Sequence, residues 1–222
     1  MQGTPATIHK RLSLLRTVLR WGFEQGYCES IEFPRLPTVH YRQFVPPTPE
    51  EIGRILAHAA PYVARVILIG AYLGARVGES ELLRLTWDDV DLDRRIVRIH
   101  GSKKNPGALW REVPIRESLM PFFKAWKDED ERAAVFHLIH FKGKSVQRIN
   151  VAWRACLKRA GITRRIRPYD LRHAFATELI AGGVDIGTVA KLMGHSSPIM
   201  LLKHYQYVMD RQKREAVYRA SR

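Results

Sequence analysis

Five prolines fall between Ile31 and Pro49, in the stretch IEFPRLPTVHYRQFVPPTP, which has no sustained helical or strand period. Proline lacks the N–H that a helix interior or a sheet ladder requires, so the chain is expected to run as an extended linker over 34–47. The linker divides the chain unequally. Before it, Ile8, Leu12, Leu15, Val18, Leu19 and Phe23 recur at helical spacing, with His9, Lys10, Arg11, Arg16 and Arg20 on the rest of the surface. This predicts one amphipathic helix over Ile8 to Tyr27, not a domain. After it, 48–222 is long enough to bury a core of its own.

Thr48, with Pro49 behind it and Glu51 three residues on, forms a capping box that opens a helix over about 49–60. A second helix over 61–73 is almost wholly apolar, hence buried, and Gly74 closes it. Arg76 is expected in a tight turn between Gly74 and Gly78, at the start of a helix holding Glu79, Leu82, Leu83 and Leu85. Free backbone N–H groups at such a start would meet an anion. Arg95 to His100 alternate as a strand and Trp110 to Ile115 read as its partner, joined by GSKKNPGAL. Helices are predicted over about 117–127, 146–160, 170–181, 185–193 and 198–208, followed by the charged ending MDRQKREAVYRASR. The fold class is therefore α+β, mostly α-helical, with a small antiparallel β-sheet. No internal repeat or low-complexity tract is present.

Charge is distributed as unevenly as the prolines. The chain carries 37 Lys and Arg against 22 Asp and Glu, a formal net charge of +15. From Phe141 to Arg222 there are 17 basic and 5 acidic residues, a net of +12, whereas Thr48 to His140 has 14 of each. An anionic polymer is the expected partner, drawn chiefly to the C-terminal part. Cys28 and Cys156 have neither CxxC spacing nor neighbouring histidines, so both are read as reduced thiols. The longest apolar stretch, VARVILIGAYLGA, is broken by Arg65 and is too short for a bilayer, and no signal peptide opens the chain. A soluble, cytoplasmic protein without membrane contact is expected.

The acidic run Asp88, Asp89, Asp91 and Asp93 invites comparison with a metal site. A calcium-binding loop fails here, because Arg94 and His100 stand where it needs glycine and glutamate. A solvated turn leading into the strand is the simpler reading. Neither a metal nor a cofactor is expected.

Three segments carry the chemistry: GARVGESELLRL with Arg76, YDLRHAF with Arg172, and GHSSPIMLLKHYQYV with His195 and Tyr205. Cutting a phosphodiester without metal needs an in-line nucleophile, cations on the non-bridging oxygens and a proton for the leaving oxygen. Arginine suits the second task because its planar fork binds phosphate bidentately and keeps its charge. In this order and with these flanking residues, the segments resemble the tyrosine recombinase (phage integrase) family from about residue 48 onward.

The resemblance implies a role for each residue. Arg76 and Arg172 form the phosphate clamp, and Tyr205, ten residues beyond His195, is the nucleophile, with Tyr207 the alternative. A phenol ionises only near pH 10 or so, so Tyr205 needs cationic neighbours or a base. Lys103, in the loop of the hairpin, is the acid for the leaving 5′-oxygen, with Lys104 as its rival. His195 contacts the scissile phosphate, and Glu79 supports the active-site cations unless it only favours a helix start through the dipole. One position departs from the family's His-x-x-Arg: Tyr169 stands in place of the histidine, and a phenol is a far poorer proton acceptor near neutral pH. His173, about 100° around the helix from Arg172, is expected to pack or cap rather than act directly.

The resemblance further implies the tyrosine recombinase catalytic fold over 48–222, with residues 1–33 as the terminal helix of a truncated core-binding domain. The chain is then either a fragment or a reduced member. The implied activity is site-specific cutting and rejoining of double-stranded DNA through a 3′-phosphotyrosine bond, without ATP or metal. The implied assembly is a homo-tetramer on paired sites from a free monomer, with the tail 209–222 docking on a neighbour, in a prokaryotic or phage setting. Two other readings remain. A DNA-binding relative with an impaired site at Tyr169 would form no covalent complex on a nicked substrate, and a nuclease using the 88–93 carboxylates would be silenced by chelation.

Overall fold

In a computed structural model of the chain, residues 3–30, 32–39, 45–101, 110–195, 197–199, 201, 202 and 205 are described. The chain divides into two units, Met1–Phe44 and Val45–Arg222. The first holds helix α1 (Pro5–Glu24), whose Thr4 side chain caps the Thr7 N–H and whose Pro5 occupies the first turn. The helix therefore starts three residues before the apolar period and ends before Gly26, which takes φ 75°. No residue of α1 is buried, and Leu14, Val18, Trp21 and Phe23 are all more than half exposed.

The second unit opens as its capping box dictates. Thr48 accepts from the Glu51 N–H at 3.2 Å, and Glu51 accepts from the Thr48 N–H at 2.9 Å, which starts α2 (Pro49–Ala57). Helix α3 (Pro61–Leu73) follows, buried as its composition requires, and ends on Gly74 at φ 65°. Arg65 lies inside this apolar helix because its charge is answered. It donates to Asp130 at 2.5 and 2.9 Å and to the Leu138 carbonyl at 3.1 Å. Burial alone would raise the Asp130 pKa, but hydrogen bonds from Arg65, His140 and Trp87 outweigh it and hold the carboxyl low.

After α3 the expected helix at Arg76 does not form. The chain turns through Ser80 and makes only a single 3-10 turn over Leu82–Arg84, whose leucines enter the core. The acidic run then builds a turn and a short strand: Asp89 caps the Thr86 N–H at 3.0 Å, and Asp91 caps the Arg94 N–H at 2.8 Å. Strands β1 (Val90–Asp91), β2 (Ile96–His100) and β3 (Trp110–Pro114) form one antiparallel sheet in that order, with Val97 opposite Val113 and His100 opposite Trp110. Val97, Ile99 and Val113 bury one face, while Arg98 and Glu112 pair on the other.

Helix α4 (Met120–Arg132) runs past its expected end, since buried Asp130 lies in its last turn and is held by Arg65. A hairpin unread from the sequence follows, β4 (His140–Phe141) with β5 (Lys144–Ser145), turning through Lys142 and Gly143 at positive φ. It occupies the residues ahead of α5 (Asn150–Arg159), which therefore starts later than its periodicity alone would place it. Helices α6 (Asp170–Ala181) and α7 (Ile186–Met193) complete the described elements, with Leu201, Leu202 and Tyr205 helical beyond them. No described helix is long and apolar enough to cross a membrane.

The packing of α6 on α3 positions everything that follows. Gly70 and Gly74 lie one turn apart and face Leu171 and Phe175, also one turn apart. A Cβ on Gly74 would lie 2.4 Å from the Phe175 ring, and one on Gly70 would lie 3.1 Å from Leu171. Two glycines thus let the helices approach at the point where Arg172 begins its reach.

Candidate active site

Glu81 is fully buried, and three arginines converge on its carboxylate. Arg76 donates to it twice, from Nη1 to Oε1 at 2.8 Å and from its backbone N–H to Oε2 at 2.9 Å. Arg111 Nη2 donates to Oε2 at 2.8 Å, and Arg172 Nη1 lies 3.5 Å from the same oxygen. Burial alone would raise the Glu81 pKa, but the hydrogen bond and charge of Arg111, the Arg76 N–H and the Arg172 charge together hold it below the usual carboxylate range. One carboxylate among three guanidinium groups leaves an excess of positive charge, which an anion would complete.

Two of these arginines close the C-terminus of α7, whose last carbonyls have no partner within the helix. Arg111 Nε donates to the Leu192 carbonyl at 2.8 Å, and Arg172 Nη2 donates to that of Met193. Arg172 Nη1 also donates to the Gly74 carbonyl at 2.7 Å, so one side chain ties the ends of α3 and α7 together. Burial lowers the Arg172 pKa to about 10, the Arg111 and Arg76 charges lower it too, and Glu81 opposes them. It remains a cation at neutral pH. Its Nε has no hydrogen-bond partner among the described residues.

Gly194 ends α7 at φ 64°, and a Cβ there would lie 2.9 Å from Arg111 Nη1. That turn delivers His195 beside the arginines. Burial lowers the His195 pKa to about 4, reinforced by the Arg172, Arg76 and Arg111 charges and by His173. The ring is therefore neutral at physiological pH and is suited to donate a hydrogen bond, not a charge. Its buried Nδ1 has no partner among the described residues.

Tyr205 is 1% exposed, packed in a small cluster with Phe175, Ala176, Met193 and Leu201. Its hydroxyl lies 2.5 Å from Nδ1 of His173 on α6. Tyr169, at the N-terminus of α6, stands edge-on to the His173 ring at 5.3 Å and is 37% exposed. The turn before it is braced by Asp170, which accepts from the Arg167 N–H at 2.8 Å.

Residues 48–212 match the phage integrase family. The chain is 34% identical over 196 residues to tyrosine recombinase XerA of Thermococcus onnurineus (strain NA1), covering 85% of this chain and 68% of that protein. It belongs to the tyrosine recombinase (phage integrase) family. A second relative, tyrosine recombinase XerD of Bifidobacterium longum (strain NCC 2705), is 35% identical over 175 residues, covering 68% of this chain and 54% of that protein. The chain thus spans between about half and two thirds of the length of these two. Among solved structures, the fold is similar to the Tn1549 transposon integrase in complex with transposon right end DNA. That match has a TM-score of 0.75 at 18% identity, covering 95% of this chain and 79% of that one. It is also similar to XerA recombinase, with a TM-score of 0.65 at 22% identity, covering 99% of this chain and 84% of that one. The tyrosine recombinase catalytic fold expected from the sequence is therefore the fold observed.

Of the residues the sequence singles out, Arg76, Arg172 and His195 come together, and Tyr205 and Tyr169 flank His173 on the adjoining side of α6. Glu79 does not join them. It is exposed, and the buried carboxylate is Glu81, because the chain between Arg76 and Leu82 is a turn in which Glu81 folds back onto the Arg76 N–H. The N–H expected to be free for an anion is thus taken by the protein's own acid. Lys103, Lys104, Tyr207 and the tail 209–222 lie outside the described residues. Sequence reasoning missed Glu81, Arg111 and the placement of His173. A signal existed for Glu81, which directly precedes the buried pair Leu82 and Leu83, but none for Arg111 beyond its place in a strand.

Proposed function

We propose that this chain is the catalytic part of a site-specific DNA recombinase that cuts and rejoins double-stranded DNA through a 3′-phosphotyrosine bond. The observation that carries the reading is the convergence of Arg76 and Arg172 on buried Glu81, with neutral His195 beside them and the Tyr205 hydroxyl on the neighbouring face of α6. Arg76 and Arg172 hold the non-bridging oxygens of the scissile phosphate and stabilise the negative charge that develops there during attack. His195 adds a hydrogen bond without adding charge. The Tyr205 oxygen attacks phosphorus, the 5′-oxygen departs, and Lys103 supplies its proton. Because the phosphodiester is exchanged for a phosphotyrosine ester, a 5′-hydroxyl from a partner strand can reverse the step without ATP or metal. The expected assembly is a homo-tetramer on paired sites, with residues 1–33 as the end of a core-binding domain.

The solved Tn1549 integrase relatives are complexes with DNA, which supports duplex DNA as the ligand here. The test uses a pool of nicked duplexes with randomised arms, in which cleavage next to the nick releases a short fragment that cannot return. An adduct that survives denaturant and chelator, mapped by mass spectrometry to the peptide carrying Tyr205, is the expected result. No adduct, an adduct on Tyr207, or one abolished by chelation overturns the reading.

A further inference from the structure

Tyr169 and His173 lie one helical turn apart on α6, and His173 stands between two phenols. Its ring centroid is 5.3 Å from that of Tyr169 and 5.9 Å from that of Tyr205, and its Nδ1 is 2.5 Å from the Tyr205 hydroxyl. A phenol that attacks phosphorus passes its proton to a group within hydrogen-bond reach, directly or through one water. Tyr169 cannot do this well, because a phenol accepts a proton only when ionised, near pH 10 or so. It is also the more exposed of the two tyrosines. Imidazole is the side chain suited to take a proton at neutral pH.

We propose that His173, rather than Tyr169, is the general base that takes the proton of Tyr205 during DNA cleavage and returns it during rejoining. This rests on the reading of Tyr205 as nucleophile. In cleavage the Tyr205 O–H bond breaks and its proton moves to His173 Nδ1, while the Tyr205 O–P bond forms and the P–O5′ bond breaks, its oxygen taking a proton from Lys103. In rejoining, Lys103 takes the proton of the attacking 5′-hydroxyl, the O5′–P bond forms as the Tyr205 O–P bond breaks, and His173 returns its proton to the departing phenolate. Atoms and charge balance over the cycle.

The helix explains how two jobs fit side by side. Arg172 turns to the Gly74 and Met193 carbonyls, and its neighbour His173 turns to the segment that carries Tyr205. Among the described residues, the titratable groups facing His173 include Tyr169 on its own helix, Tyr205 on the following segment and His195 beyond α7, with Arg172 beside it. The reactive state has neutral His173 with its proton on Nε2, so that Nδ1 accepts from the phenol. The cleavage rate therefore rises with pH as His173 loses its second proton.

Two measurements test this. Nitrogen-15 NMR of the free protein is expected to show the Nε2–H tautomer of His173 above its titration, and Tyr205→Phe is expected to shift the Nδ1 resonance. A proton on Nδ1 in the neutral ring overturns the proposal without reference to DNA. On the nicked duplex pool, His173→Asn keeps a hydrogen-bonding group near the phenol but accepts no proton. It is expected to slow single-turnover adduct formation by roughly 10²–10⁴-fold and to remove the rising pH limb. Tyr169→Phe is expected to keep that limb. Thermal unfolding checks that both variants fold. Adduct formed by His173→Asn at the original rate with the limb intact, or a limb lost in Tyr169→Phe instead, overturns the assignment of the base alone. No adduct from the unaltered chain overturns the recombinase reading with it.

Discussion

The carbonyl oxygen of Gly74 accepts a 2.7 Å hydrogen bond from Nη1 of Arg172, so the residue that ends α3 also fixes one arm of the arginine cluster around Glu81. Glycine is needed there twice over. Its φ of 65° is strained for any residue with a Cβ, and that Cβ would lie 2.4 Å from the Phe175 ring. Fold and site therefore share one backbone position.

Gly74→Ala follows directly from that geometry. The left-handed φ and the forced retreat of Phe175 together are expected to cost about 2–4 kcal/mol of stability. Denaturant unfolding reads this, and adduct formation should fall with it, because α6 must shift to accommodate the methyl. Gly53 has no atom near its Cβ direction and no positive φ, so Gly53→Ala is expected to leave stability unchanged or slightly raised. Equal costs at the two glycines would refute the account of the α3–α6 approach.

Glu81 and Glu79 should separate cleanly. Glu81→Gln leaves three guanidinium groups without their shared carboxylate and is expected to cost about 3–5 kcal/mol, as when one partner of a buried ion pair is removed. Glu79→Gln, at an exposed position, is expected to stay within about 0.5 kcal/mol. The pH dependence carries the same sign. Because the folded pKa of Glu81 lies below its ordinary value, its contribution is complete above that value, about 4.3, and is lost as pH falls through the lower folded value. Acid titration of stability should therefore be flatter in Glu81→Gln than in the unaltered chain, and steeper or equal loss in the variant would count against the carboxylate's role.

Much of this site was legible in the sequence because its order along the chain carries it. Arg76, Arg172, His195 and Tyr205 are picked out through the family resemblance that their order and flanking residues carry, while spacing alone gives the local turns and buried faces around them. Glu81 rather than Glu79 folds inward because the expected helix from Arg76 onward does not form, and in a turn the distance along the chain no longer tells which side chain faces the core. For His173, the 100° from Arg172 predicts a side chain that packs or caps, and it does not say that the group it meets is the Tyr205 hydroxyl. Which segment covers a helix face is a tertiary fact, as is the meeting of Arg111 in β3 with the end of α7.

His195 gives a prediction of its own in pH. Its folded pKa of about 4 lies below the ordinary imidazole value of about 6.5. The unfolded chain therefore binds a proton between those values that the folded chain does not. The contribution is complete above about 6.5 and declines as pH falls toward about 4. His195→Asn is expected to flatten the stability profile over this window by up to one proton's slope. Proton NMR of the histidine C–H signals checks the cause, because one ring should remain neutral down to about pH 4. A His195 ring that titrates near 6.5 would remove both the predicted slope and the reading of this residue as an uncharged donor.

The last prediction concerns DNA affinity and the uneven charge. The segment from Phe141 to Arg222 carries a net +12 against none from Thr48 to His140, and Arg172 belongs to it. Phosphates neutralised by this surface release counterions, so log affinity for a duplex should fall linearly with log salt, at a slope of roughly −0.9 per phosphate. Replacing an exposed basic residue of this segment, as in Arg154→Ala, should weaken binding similarly on every sequence and make the slope shallower by up to about one phosphate's worth if Arg154 meets the backbone. Tyr205→Phe removes one hydroxyl and no charge, so the slope should stay as it was while covalent attachment disappears. Fluorescence anisotropy on a labelled duplex between about 50 and 200 mM salt measures all three. A nearly flat dependence would mean that the basic C-terminal part does not lie along duplex DNA, and would leave the arginine cluster around Glu81 without the backbone contacts that bring a phosphate to it.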